Sequence, residues 1–244
     1  MKKITIVLAI LMFLPAGVLA VPVTILDTNV DRYGGDAFNV LSIAVETDPT
    51  KPMSFSIATN YPQAGYSAQY ETSNYYWNTR PADLILDVDQ NNRWDYAIPL
   101  VNHYGWKDSN GNYYDPYTAG RVYKVDSMWL SSAYEPPPYT WSYNDTPVSL
   151  YKGTDTGLRG TWTWNETGGF DPKYDIVYSA ANWDIADLAI NGYLLVYWAT
   201  ATCGNDTIVG TVYPSPVPEP ATMLLLGTGL IGLAGFSRKK FFNK

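Results

Sequence analysis

Apolar and polar side chains alternate through short stretches in the middle of the chain, and a period of two predicts strands. Phe38–Glu46 (FNVLSIAVE) and Met53–Thr59 (MSFSIAT) form the first pair. Their link, Thr47–Pro52, contains Asp48-Pro49 and Lys51-Pro52 and predicts a turn. Leu84–Val88 and Trp94–Leu100 form a second pair around Asp89–Arg93. Further strands are predicted at Arg121–Val125, Leu158–Trp164, Tyr174–Tyr178, Ile185–Ile190, Tyr193–Thr200 and Thr207–Tyr213. Asn191-Gly192 lies between two apolar runs and predicts a type I′ hairpin, whose two central positions need φ > 0. Asn110-Gly111 predicts another turn, and the Pro-rich Glu135–Pro147 an extended loop. There is no internal repeat and no heptad pattern. Short strands without a convincing helix predict an all-β body, an antiparallel β-sandwich of jelly-roll type.

The two ends break this pattern. Lys2 and Lys3 precede an apolar run, Ile4–Leu14, which Pro15 and Gly17 interrupt. Val18-Leu19-Ala20 then fits a signal-peptide cleavage site between Ala20 and Val21. The other reading is a retained membrane helix, but the 11 residues of that run rise only ~16 Å against ~30 Å of hydrocarbon. At the far end, the 16 residues Ala221–Phe236 carry no charge. They rise roughly 24 Å and predict a single short transmembrane helix. Arg238, Lys239 and Lys240 follow it and stay cytoplasmic by the positive-inside tendency, which puts the body in the periplasm. Gly229, Gly232 and Gly235 share one helical face, either as ordinary membrane-helix glycines or as a surface for close helix approach. Pro214, Pro216, Pro218 and Pro220 make Tyr213–Pro220 an extended spacer with backbone open to a protease. The expected organisation is a signal peptide (1–20), a β domain (21–213), a Pro-rich linker (214–220), and a helix with a basic end (221–244).

The order Pro218-Glu219-Pro220, apolar run, Arg238-Lys239-Lys240 resembles the PEP-CTERM protein-sorting signal of Gram-negative bacteria. The resemblance implies processing by exosortase, a membrane-embedded thiol protease or transpeptidase. It further implies a cell-surface or extracellular-matrix destination, while the N-terminal signal predicts export through the Sec machinery and the apolar run with its basic end an inner-membrane stage before processing. Within the body, Gly34-Gly35-Asp36-Ala37-Phe38, Pro81-Ala82-Asp83-Leu84, Asp87-Val88-Asp89, Trp94-Asp95-Tyr96 and Cys203-Gly204-Asn205-Asp206 look like segments scattered through the soluble parts of PEP-CTERM proteins. Those proteins are tied to exopolysaccharide production, and the resemblance implies common ancestry, not a known activity.

Charge separates by region. Six of the 16 basic residues and one of the 23 acidic residues lie in the two ends, leaving the body with 10 and 22, a net charge of −12. An acidic body argues against nucleic acid, whose binding requires phosphate neutralisation, and leaves room for divalent cations. The single cysteine, Cys203, permits no internal disulfide and reads as a buried small residue or an exposed cross-linking thiol. The single histidine, His103, excludes a multi-histidine metal site.

One loop carries ligand chemistry. Asp87, Asp89 and Asn91 place oxygens at alternate positions, and the Arg93 carbonyl and the Asp95 carboxylate extend the set, as in the first part of an EF-hand loop. Asn92 stands where Gly is usual and Ile98 where a bidentate Glu is needed, so the reading is a Ca²⁺ loop between strands; the alternative is a polar turn. Trp77, Trp106, Trp129 and Trp141 could stack on sugar rings, and Trp162 with Trp164 share one strand face; the alternative is core filling. Three Asn-x-Thr sequences, at Asn144, Asn165 and Asn205, fit the glycosylation pattern or ordinary turns.

No catalytic set is expected. A serine or cysteine nucleophile would depend on His103, and neither has a local signature. Glu46, Glu71, Glu135 and Glu166 are the body's only glutamates, and none lies in a recognisable catalytic pattern. The expected function is that of an exported surface or matrix protein with a structural or adhesive role linked to exopolysaccharide. The alternatives are a Ca²⁺-dependent carbohydrate-binding module and a glycan-active enzyme.

Overall fold

The computed structural model describes residues 21–27, 35–69, 76–89, 91, 93–105, 116–131, 146–189, 191–200, 206–214 and 227–229. The chain divides into two compact units, residues 21–215 and the two ends together. In the end unit only residues 227–229 are described, and they are helical. The predicted signal peptide and the remainder of the predicted membrane segment lie outside the described residues. Among the described residues no helix is long and apolar enough to cross a membrane. The Asn110-Gly111 turn, Cys203 and most of the Pro-rich loop also lie outside them.

The body is nearly all β and antiparallel, as expected. Ten strands make one sheet. In sheet order they are β1 (Val23–Leu26), β2 (Val40–Val45), β3 (Ser54–Thr59), β12 (Tyr174–Ala180), β11 (Thr146–Glu166), β10 (Arg121–Ser131), β7 (Tyr96–Ile98), β6 (Leu84–Asp87), β13 (Leu194–Ala199) and β14 (Thr207–Val212). Two ribbons form sheets of their own: β4 (Tyr66–Gln69) with β5 (Tyr76–Thr79), and β8 (His103–Tyr104) with β9 (Pro116–Tyr117).

A sandwich implies two sheets, but here one continuous sheet nearly closes into a barrel. The reason is β11. It runs for 21 residues and changes neighbours midway. Up to Arg159 it pairs with β10, and from Gly160 onward with β12. Gly160 is the pivot. Its amide donates to the Gly120 carbonyl at 2.8 Å, and the same oxygen accepts the Tyr178 hydroxyl at 3.0 Å. A Cβ on Gly160 would come within 3.0 Å of the Ser179 carbonyl oxygen and the Tyr178 ring. Gly120 has φ +80°, a conformation that favours glycine.

The interior is one apolar core. Ile43 and Val45 of β2, Phe55 and Ile57 of β3, and Ile176 and Tyr178 of β12 pack with Leu84 and Leu86 of β6, Val196 and Trp198 of β13, and Ile208 and Val212 of β14. The step from Val40 to Ile43 breaks strict alternation, and there the register against β3 shifts between Val40 and Ser42, as at a bulge. β6 and β13 are covered on both faces, since Ile85, Tyr197 and Ala199 form a second buried cluster with Val148. That explains why they read as continuous apolar runs.

β14 runs alongside β1 and β2, although no strand pairing joins them. Side chains hold this seam. Ile25 of β1 packs over Gly210 of β14, and the Val40 amide donates to the Asp206 carboxylate at 2.7 Å.

The strand predicted over 185–190 is not one. Ile185–Asp187 is a 3₁₀ turn with a capping box: Asp184 accepts from the Ala186 amide at 2.8 Å, and Asp187 accepts from the Asp184 amide at 2.8 Å. Ile185, Leu188 and Ala189 are buried with the three- and four-residue spacing of a helical turn rather than alternation. Asn191-Gly192 does turn the chain, with Gly192 at φ +79°, but it leads from the 3₁₀ turn into β13. β10 and β11 run well past their predicted ends, because YKGTDTG at residues 151–157 becomes strand by pairing with β10, not by propensity.

Gly160→Ala is expected to destabilise the body by roughly 1–3 kcal/mol, the range for overpacking, read as a lower urea midpoint. A midpoint equal to wild type would refute the pivot.

Candidate functional site

The turn between β6 and β7 brings the predicted ligands together. β6 ends on Asp87, which sits opposite Leu195 of β13. Three side-chain-to-backbone bonds then coil the loop, each reaching two residues on. Asp87 accepts from the Asp89 amide at 3.0 Å, Asp89 from the Asn91 amide at 3.1 Å, and Asn91 from the Arg93 amide at 2.8 Å. This is the turn chemistry natural to Asp and Asn. Asp95 returns the chain to the sheet: its amide donates to the Leu86 carbonyl at 2.9 Å, and its carboxylate accepts from the Val88 amide at 2.8 Å.

As a result, one carboxylate oxygen each from Asp87, Asp89 and Asp95 lie within 4.8 Å of one another. Asp87 is buried, Asp95 half-buried and Asp89 exposed. Asn91 belongs to the same loop, with its amide nitrogen donating to Asp89 at 2.7 Å. Asn92 lies outside the described residues. Ile98 is buried in β7 and supplies no ligand.

Three carboxylates this close repel one another when ionised. Burial first, and then the charges of Asp89 and Asp87, push the Asp95 carboxyl above its usual range, although the Val88 amide pulls the other way. Partial desolvation, and then the same three carboxylates, push up the Tyr193 phenol, so Tyr193 sits in their field. An all-oxygen set of this kind suits a hard divalent cation, which would relieve the repulsion.

A second polar cluster was not legible in sequence. His103, carried on β8, directs Nε2 at both Asp83 oxygens, at 3.1 and 3.0 Å, and Nδ1 at the Tyr104 carbonyl at 3.1 Å. Asp83 also accepts from the Leu150 amide at 2.7 Å and the Ser149 hydroxyl at 3.4 Å. Ser149 in turn accepts from the Arg80 guanidinium at 2.7 Å. Burial lowers the Arg80 guanidinium's proton affinity, and the Asp83 carboxylate offsets this. Ser, His and Asp meet here, but without a triad's division of roles. One imidazole nitrogen faces both partners, whereas a triad uses Nε2 for the serine and Nδ1 for the carboxylate. All three residues are buried. The cluster therefore ties β8 and the β5–β6 link to β11.

The tryptophans divide. Trp162 and Trp164 share a face, as their spacing predicts, and pack against the core; the Trp162 indole donates to the Pro99 carbonyl at 3.0 Å. Trp129 is exposed and stacks edge-on against Tyr151 at 4.8 Å. Trp106 and Trp141 lie outside the described residues, as do Pro218, Glu219, Pro220, Arg238, Lys239 and Lys240.

The comparison that decides concerns the tail. The family model for the PEP-CTERM protein-sorting motif matches residues 216–239. The chain carries a PEP-CTERM sorting motif. The match spans Pro218-Glu219-Pro220 and the apolar run and ends on Lys239, one residue before Lys240. A PEP-CTERM motif marks an exported protein that is anchored at the membrane and sorted by exosortase. No curated protein and no solved structure matches the chain.

In the body that precedes the PEP-CTERM motif, the raised Asp95 carboxyl fixes a sign. The folded state holds that proton more tightly than the unfolded chain, so this stabilisation is present at low pH and is lost as pH rises through the raised value. Without a cation, ionised Asp95 therefore opposes folding at neutral pH. Asp95→Asn, which can still accept from Val88, is expected to stabilise the chelator-treated protein at neutral pH and to flatten its stability profile above the usual carboxylate range. A lower urea midpoint for the variant in chelator would contradict this.

Proposed function

We propose that the protein is a structural or adhesive component of the cell surface or extracellular matrix, acting alongside exopolysaccharide. The observation carrying this reading is the PEP-CTERM motif behind a β body of net charge −12. In this reading the Sec machinery exports the chain and cleavage falls between Ala20 and Val21. A single helix over 221–236 then holds the chain in the inner membrane, with Arg238, Lys239 and Lys240 on the cytoplasmic side, until exosortase acts at Pro218-Glu219-Pro220. This reading gives the body no catalytic role: among the described residues, the meeting of Ser149, His103 and Asp83 is buried and lacks the geometry of a triad. Mass spectrometry of the secreted form tests the route. The expected product begins at Val21 and lacks 221–244, and replacing Pro218, Glu219 and Pro220 with Ala leaves the full tail attached to cell membranes. Secretion of that variant with processing unchanged would refute it.

A second reading is favoured by the converging carboxylates of Asp87, Asp89 and Asp95: a Ca²⁺-dependent carbohydrate-binding module. Asp87, Asp89 and Asp95 would hold the ion, with Asn91 completing the loop. The ion would stiffen the β6–β7 turn against β13. On this reading, Ca²⁺ at about 100 times its Kd raises stability by roughly 2.7 kcal/mol, and Asp89→Asn removes most of that gain. Tb³⁺ luminescence sensitised through Tyr193 would report occupancy directly. No Ca²⁺-dependent shift in the full chain at millimolar Ca²⁺ would rule this reading out.

A further inference from the structure

We propose that the tip of the β11–β12 hairpin is a preformed contact for one neutral sugar ring, with Phe170 as the stacking face. This deepens, and rests on, the reading of the body as a polysaccharide-associated domain. Phe170 is 92% exposed, the most exposed of the large apolar side chains among the described residues. A flexible loop could fold such a ring back onto the protein, but this loop is tied down. Its ends are closed by the Thr167 amide donating to the Lys173 carbonyl at 2.9 Å. The Thr167 hydroxyl donates to the Pro172 carbonyl and accepts from the Gly169 amide at 3.1 Å. Asp171, next to the phenylalanine, accepts from the carboxamides of Asn39 at 3.3 Å and Asn60 at 3.1 Å. Asn60 is itself buried, and its oxygen accepts from the Lys173 amide at 2.8 Å. The backbone that carries the ring is therefore held out by a scaffold reaching back to the ends of β2 and β3, so little loop ordering remains to be done on binding.

Size and charge select the occupant. One aromatic ring offers on the order of 200 Å², whereas a specific protein interface buries about 1,200–2,000 Å². A single side chain is likewise too little for stable bilayer attachment, which requires two signals. The hairpin's charged residues, Glu166, Asp171, Lys173 and Asp175, sum to −2, which disfavours anionic lipid and anionic polymer. A single ring face beside amide and carboxylate groups matches one pyranose ring. The sugar's C–H edges meet the electron-rich ring face, and its hydroxyls meet the polar groups around Asp171. Each contact is weak, and a repeating polymer makes it useful through many copies.

The test is native affinity electrophoresis of the full chain in non-ionic detergent, in gels containing hydroxyethylcellulose, dextran or galactomannan. Alginate and polysaccharide extracted from the producing cells' matrix run in parallel. The expected result is retardation by at least one neutral polymer, an apparent affinity about tenfold lower for Phe170→Ala, and retention in Phe170→Trp. Both variants should melt with wild type, because the side chain is exposed. Absence of retardation by all three neutral polymers, retardation by alginate alone, or equal retardation of Phe170→Ala would each overturn the assignment. If matrix polysaccharide still retards Phe170→Ala as it does wild type, the tip assignment fails while the polysaccharide-associated reading stands. If it retards neither, that reading fails as well.

Discussion

A sheet that curls almost onto itself must protect its two edge strands without pairing them to each other. β1 and β14 face this constraint, and side chains meet it. Ile25 covers Gly210, where a missing side chain leaves the room, and the buried Asp206 carboxylate takes the Val40 amide. A buried amide without a partner costs about 1–3 kcal/mol, so this one bond does much to fix β2 against the approach to β14. The curl itself depends on the other side of the barrel. There β11 passes from β10 to β12 at Gly160, and the backbone comes too close to Gly120 and Tyr178 for any side chain.

The acidic residues gain a structural meaning from this arrangement. Asp83, Asp87 and Asp206 are almost fully buried, and each accepts from a backbone amide of a loop or of a strand distant in sequence. Burying a carboxylate is costly unless charge-assisted hydrogen bonds compensate it. Asp83 has the fullest compensation, from Leu150, His103 and Ser149. Each stands at a point where a backbone group would otherwise be stranded.

The acidic turn differs from these ties. Asp87, Asp89 and Asp95 share a small volume, and Asp95 is pushed up by burial and by its neighbours' charges. Its geometry follows from register: Asp87 is fixed opposite Leu195, and Asp95 is returned to β6 by its own amide. A polar turn alone would leave the carboxylates splayed toward solvent. Here the sheet draws them together, which is why the turn is the most chemically loaded place among the described residues.

Local pattern was enough for several features. Alternation located β2, β3 and β12, because one face of each is buried and the other is not, and the run of Asp and Asn at 87, 89 and 91 marked the Asx turns between β6 and β7. The order of Pro-Glu-Pro, apolar run and basic residues identified the sorting motif, since that signal is linear. Local pattern misread Ile185–Ile190, where the spacing of Ile185, Leu188 and Ala189 was helical, and it missed most of β11, whose glycines and threonines become strand only against β10. The meeting of His103 with Asp83 and Ser149 left no trace in sequence, being separated by 20 and 46 positions. The sequence by itself thus determined the strand-rich class, the sorting motif and the acidic make-up of one loop, because each is written in neighbouring residues. The single nearly closed sheet, its glycine pivot and the convergence of three carboxylates were decided by tertiary structure, because they depend on strand register and close backbone approach between segments far apart in the chain.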